Sequence, residues 1–332
     1  MKRKSAHYMA GENEIKNICI LGMGAIGSIY AAKLHDANPG SLKIIANPDR
    51  KAAYQRSGVN VNGKSYEFNY VSPGGNYEKA DLIIIAVKYP SLEKGIEDIR
   101  EFVGEKTIVI SLLNGISSEN LIAEQIGAQH LLYAYTTITG MSGIQPNSYT
   151  QLTDTGKIVF GEKTNEQLSA RVLAVKSLFE QAGIQYHIPS DMIRAQWSKF
   201  MMNTGINQAS TILKAVYSKF QQPGEARSLM LMAAAEVVKI AQKCGVNLDE
   251  SELDEFILRV NDLDPTYKTS MLQDIEAGRK TEIEMFSGVV ISLGKKHNVL
   301  TPVNETMYYI IRSMEQTSQV KKDIAQEELV QN

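Results

Sequence analysis

Lys199, Asn203 and Asn207 recur at every fourth position in the middle of the chain. Four residues turn a helix by about 400°, so the three side chains share one face and drift by only about 80°. Their flanks, Trp197, Phe200, Met201, Met202 and Ile206, are apolar. A lysine can both offset negative charge gathering on an oxygen and give that oxygen a proton, whereas an arginine supplies the charge but hardly the proton. A lone cation with two amides among packing residues therefore points to a site. The competing reading is a solvated helix face, since polar stripes are what surface helices carry.

Further polar residues of interest follow in 269–284. Thr281 and Glu284 have the spacing of a capping box, which predicts a helix start at Thr281 and places Glu282 in its first turn, where the helix dipole favours an ionised carboxylate. Ser270 is also near a predicted helix start, with its hydroxyl beside free backbone N–H groups. Read locally, both residues are better explained as caps alone.

Near the other end, Gly22-Met23-Gly24-Ala25-Ile26-Gly27 follows a short apolar run directly and opens a helical pattern. In that context G-x-G-x-x-G is a dinucleotide signature: Gly22 for a tight turn, Gly24 for close approach to a pyrophosphate, Gly27 for helix–strand packing. The next strand ends in Asn47, followed by Pro48, Asp49, Arg50 and Lys51. Without a carboxylate at the strand tip to take a ribose 2′-hydroxyl, and with Arg50 and Lys51 near, NADP is favoured and NAD left open. The competing reading gives the ribose to Asp49 and leaves the two cations in solvent. Lys88 and Asn114 close two further apolar runs, where open α/β sheets bind ligands; Lys88 reads as an electrostatic contact and Asn114 as an amide beside the nicotinamide.

The elements that must position these residues divide in two. Strands are predicted at 16–21, 42–46, 81–87, 107–112, 131–137, 157–160 and 184–188, with helices at 26–34 and 166–181. Continuous apolar runs alternating with helices argue for a parallel sheet covered on both faces. After Pro189 the pattern becomes helical, with helices at 191–213, 225–244, 249–260, 270–277, 281–297 and 303–315. The expected fold is thus α/β, a Rossmann-like doubly wound sheet over residues 15–189 followed by an all-helical substrate domain over 190–316. Residues 1–14 read as a flexible extension and 317–332 as a polar tail that frays.

Composition narrows the classes. The 332 residues are 43% hydrophobic and 22% charged, with a net charge of −2, which excludes a strongly basic nucleic-acid binder or membrane-surface protein. Cys19, Cys244 and five scattered histidines have no metal-ligand spacing, so no metal is expected. The basic start lacks the apolar core of a secretory signal, and no apolar run reaches about 18 residues, so a cytoplasmic protein is expected.

Together these motifs resemble the ketopantoate reductase (2-dehydropantoate 2-reductase) family over residues 16–314. The resemblance rests on the glycine signature, Lys88, Asn114-Gly115, Trp197-x-Lys199 with Asn203 and Asn207, and Ser270-Met-Leu-Gln-Asp with Gly278-Arg279-x-Thr281-Glu282. It implies NADPH-dependent reduction of 2-dehydropantoate to (R)-pantoate. By the same match Lys199 is the general acid, Glu282 positions or tunes it, Asn203 and Asn207 bind substrate oxygens and Ser270 the substrate carboxylate. The chain departs from the family's usual pattern at Leu113, Asn47 and Glu284. Two other functions fit the same residues: reduction of another branched 2-oxo acid, and a nicotinamide-binding sensor without catalysis. The expected partner is a small 2-oxo acid, with a homodimer left open.

Overall fold

A computed structural model describes residues 14–137, 141–145, 147–151 and 156–331; the expected N-terminal extension lies outside them except for Glu14. The described residues form two compact units. One holds the chain through Leu113 and Ser118–Met192, the other Asn114–Ser117 and the chain from Ile193 onward.

In chain order the first unit contains β1 (Ile18–Leu21), α1 (Ala25–Ala37), β2 (Leu42–Ile45), α2 (Pro48–Ser57), β3 (Val59–Val61), β4 (Lys64–Tyr66), β5 (Tyr70–Val71), β6 (Leu82–Ile85), α3 (Leu92–Ile99) and β7 (Ile108–Ser111). It continues with α4 (Ser118–Gln125), β8 (Leu131–Thr136), β9 (Met141–Gln145), β10 (Ser148–Gln151), β11 (Ile158–Gly161), α5 (Ala170–Gln181) and β12 (Tyr186–His187). The main sheet runs β12-β11-β8-β7-β6-β1-β2-β5. Its pairs are parallel except β8 with β11. Every residue of β1, β6, β7 and β11 is buried, as strands covered on both faces require. The order reverses between β1 and β6, so Gly22 after β1 and Lys88 beyond β6 stand at the switch point where doubly wound sheets take ligands.

A second sheet, β4-β3-β10-β9, has no counterpart in the sequence reading. Its β3–β4 hairpin turns on Asn62-Gly63, both with positive φ (52° and 80°), the geometry that Asn-Gly favours in two-residue turns. The strands are three to five residues long and the pair that joins the sheet, β3 with β10, comes from distant parts of the chain, so hydrophobic runs alone do not reveal it. This sheet lies against α1.

The second unit is helical: α6 (Met192–Leu213), α7 (Glu225–Lys243), α8 (Ser251–Asn261), α9 (Ser270–Glu276), α10 (Ser287–His297) and α11 (Pro302–Gln331). Its core joins Trp197, Phe200, Met230, Phe256 and Phe286 with small residues such as Ala233 and Ala234. Gly205 of α6 has no room for a side chain: a Cβ there would lie 2.7 Å from the Met230 carbonyl oxygen and 2.9 Å from the Phe256 ring. A buried polar cluster also links four helices. Gln208 of α6 donates to Asn304 of α11, Ser287 of α10 donates to both, and Glu236 of α7 accepts from the backbone N–H groups of Val303 and Asn304 and from the Asn304 amide.

Two helical expectations change. The last helix runs on to Gln331 instead of stopping at 315, because 316–331 carries four glutamines, two lysines and two glutamates and contains no glycine or proline. The helix expected at 281 begins at Ser287, after a 3₁₀ turn over Ile283–Met285. Among the described residues no helix is long and apolar enough to cross a membrane.

Candidate active site

Helix α6 presents Lys199, Asn203 and Asn207 on successive turns, while Trp197, Phe200, Met201 and Ile206 are buried in the helical core. Asn207 is buried; Lys199 and Asn203 are half-buried. The spacing thus reads as a partly sheltered polar face, neither fully wet nor fully packed.

These side chains join residues from three other segments. Ser270 Oγ lies 3.5 Å from Asn207 Oδ1 and donates to it, and Asn207 Nδ2 donates to the Asn203 carbonyl oxygen at 3.1 Å. Asn203 Nδ2 donates to Asn114 Oδ1 at 3.3 Å, and Asn114 Nδ2 donates to Glu282 Oε2 at 3.2 Å. Five of the residues singled out from the sequence therefore form one hydrogen-bonded line, all within the helical unit. Gly115 lets the Asn114 loop approach: its φ is +86°, and a Cβ would meet Met285 Cγ at 2.9 Å.

Burial pushes the Lys199 ammonium down to about 8, and the positive charge of Arg259 on α8 pushes in the same direction. The sequence left open whether burial or an opposing Glu282 charge would set this group. Burial decides it, because removing the ammonium from water disfavours its charged form. At neutral pH the lysine still holds its proton but releases it more readily than an exposed one.

The local surroundings of Ser270 and Glu282 differ from expectation. Thr269, not Ser270, caps α9: its hydroxyl accepts from the Leu272 N–H at 3.3 Å, leaving Ser270 as the exposed first helical residue. The capping box at Thr281 does not form. Both the Thr281 N–H and its hydroxyl donate to Glu315 at 2.7 Å, while Glu284 accepts from the Tyr308 hydroxyl at 2.7 Å. A carboxylate brought by α11 has taken the donor that a local box would use. Glu282 precedes a three-residue turn too short for a substantial dipole, so the Asn114 amide is a better account of its setting.

The nucleotide motif lies in the first unit. Gly22 has φ +102°, and a Cβ there would sit 2.6 Å from the Ala86 backbone. A Cβ on Gly27 would overlap the Gly22 carbonyl oxygen, whereas nothing lies within 4 Å of one built on Gly24. Met23 is buried, Ala25 and Ile26 begin α1, and no side chain caps that helix. The backbone N–H groups at its start are thus left for an outside acceptor. Asn47 caps α2, its Oδ1 accepting from the Arg50 N–H at 2.9 Å. Asp49 and Arg50 are exposed in the first turn of α2, and Lys88 is exposed beyond β6.

The sequence reading missed Arg259, which adds a second positive charge near Lys199. Only the packing of α8 on α6 reveals it. Glu252 of α8 accepts from Ser198 at 2.9 Å and pairs with Arg194, both on α6, and Arg259 lies seven residues on, two helical turns along the same face.

The family pattern described as ketopantoate reductase PanE/ApbA matches residues 18–165, and that described as ketopantoate reductase PanE/ApbA C terminal matches 191–315. A 2-dehydropantoate 2-reductase of Lactococcus lactis is 27% identical over 92% of this chain and 99% of its own length. One from Pyrococcus abyssi is also 27% identical, over 90% and 97%. The fold is shared with D-mandelate dehydrogenase in complex with NADH and anilino(oxo)acetate, at 23% identity and a TM-score of 0.81, over 91% of this chain and 99% of that one. It is shared too with a dimeric ketopantoate reductase of Staphylococcus aureus, at 21% identity and a TM-score of 0.73, over 91% and 99%. With both halves matched in order, the chain belongs to the ketopantoate reductase family of oxidoreductases.

Proposed function

We propose that this protein reduces 2-dehydropantoate to (R)-pantoate with NADPH, a step toward pantothenate and coenzyme A. The observation that carries this reading is the line Ser270, Asn207, Asn203, Asn114 and Glu282 beside Lys199, whose ammonium is held low by burial. The residues fit a dinucleotide: Gly24 is open, Gly27 cannot bear a side chain, and the start of α1 is uncapped. When bound, the reduced nicotinamide supplies a hydride to the substrate carbonyl carbon.

The chain's own residues do the rest. Lys199 donates a hydrogen bond to the ketone oxygen, offsets the charge that gathers there, and gives its proton to make the hydroxyl. It is left neutral and takes a proton back from water. Asn203, Asn207 and Asn114 hold substrate oxygens, and the Ser270 hydroxyl holds the carboxylate. Glu282 orients the Asn114 amide and positions Lys199 through that line. Arg50, in the first turn of α2, and Lys88 contact the cofactor; the absence of a carboxylate at the tip of β2 supports NADP over NAD. The same reading takes the protein as a cytoplasmic homodimer, which light scattering of the purified protein checks for assembly.

The test is turnover by purified protein. With NADPH and 2-dehydropantoate, reduced-nicotinamide absorbance is expected to fall faster than with other 2-oxo acids, and faster than with NADH. Equal or greater turnover of an aromatic or differently branched 2-oxo acid would instead favour a second reading, reduction of a related 2-oxo acid. That reading is supported by the fold shared with the mandelate enzyme.

A further inference from the structure

The second sheet of the first unit carries a residue aimed at the glycine turn. The Tyr149 hydroxyl, on β10, donates to the Met23 carbonyl oxygen at 3.1 Å. Met23 is the middle residue of Gly22-Met23-Gly24, 126 positions away in sequence. A trans peptide unit points its C=O and its N–H in opposite directions. Holding the Met23 oxygen therefore also aims the Gly24 N–H away from β10, at the turn where nothing lies within 4 Å of a Cβ built on Gly24.

The setting suits a fixed donor. Tyr149 is half-buried, and burial raises its pKa, so the phenol keeps its proton at neutral pH; Arg50 acts weakly against that rise and Tyr54 with it. Both of those residues are on α2, next to the expected position of a 2′-phosphate. A buried carbonyl turned away from a ligand needs a partner of its own, and Tyr149 is that partner.

We infer that Tyr149 is a cofactor-positioning residue, whose hydroxyl locks the Met23–Gly24 peptide so that the Gly24 N–H faces the pyrophosphate. This rests on the dinucleotide reading above. The second sheet is then part of the nucleotide site and not only a cover for α1.

The experiment compares wild type with Tyr149→Phe, which removes one oxygen. Binding of NADPH, NADH and ADP-ribose is measured by titration calorimetry, and kcat at saturating cofactor. The variant is expected to raise Kd for all three ligands about 3- to 10-fold, the worth of one hydrogen bond, with kcat at saturation and the KM for the 2-oxo acid unchanged. Deuterium uptake by the peptide covering residues 22–30 should also rise in the ligand-free variant. Ser57→Ala is the control: it removes the acceptor of the Asn147 amide (2.9 Å), which anchors the start of β10 elsewhere. Unchanged affinity in Tyr149→Phe, or an equal loss in Ser57→Ala, overturns the inference. A wild-type protein that binds none of the three ligands overturns the dinucleotide reading itself.

Discussion

At the scale of single residues, the proposed chemistry turns on one proton. Lys199 sits at about 8 because burial, aided by Arg259, disfavours its charge. In the proposed reaction reduction uses the protonated form, so log kcat is expected to be level below pH 8 and to fall as pH rises through it; the reverse oxidation should rise over the same range. Lys199→Ala is expected to lower kcat by roughly 10² to 10⁴ and to abolish that inflection, leaving cofactor affinity unchanged by calorimetry. Lys199→Arg keeps charge but lacks a transferable proton, so it too should be slow. Spacing singled this residue out, because the helical repeat projects Lys199, Asn203 and Asn207 onto one face, but left a solvated helix face as an equal reading. It did not reveal Arg259, since a neighbour on another helix is a tertiary fact with no local mark beyond its own helix's periodicity.

At the scale of elements, the position of the ladder depends on how closely α6 packs. Gly205 stands between Asn203 and Asn207 and touches α7 and α8 with its bare backbone. In an open helix, Gly→Ala gains about 1 kcal/mol. Here the added methyl meets backbone at 2.7 Å, so Gly205→Ala is expected to lose about 1–3 kcal/mol net and to raise KM as Asn203 and Asn207 shift. Urea unfolding and steady-state kinetics check the two parts. The same scale explains what the sequence hid. The strands β1, β6 and β7 were legible as unbroken apolar runs, but the capping box at Thr281 was a false local signal. Glu315, 34 residues on, supplies the acceptor instead, and nothing in 281–284 announces it.

At the scale of the whole molecule, the helical unit is held by a polar cluster as well as by its apolar core. Glu236 satisfies two backbone donors at the start of α11 and the Asn304 amide, and Asn304 in turn meets Gln208, the residue next to Asn207. Removing that carboxylate strands buried donors, so Glu236→Ala is expected to cost about 3 kcal/mol and to lower the urea midpoint. Activity of the fraction still folded should be close to wild type, because Glu236 lies outside the proposed catalytic line. The division into a sheet part and a helical part was legible from the change of pattern near Pro189, yet the four residues Asn114–Ser117 were not assignable from pattern. They follow a strand of the sheet and pack with the helices. The two units are therefore not two modules that recombination can exchange at a single joint. A hybrid carrying the helices of one relative and the sheet of another would inherit Asn203 and Glu282 from one parent and Asn114 from the other. Such a chimera would fold both halves and still mismatch the line of amides, unless the loop after β7 travels with the helices.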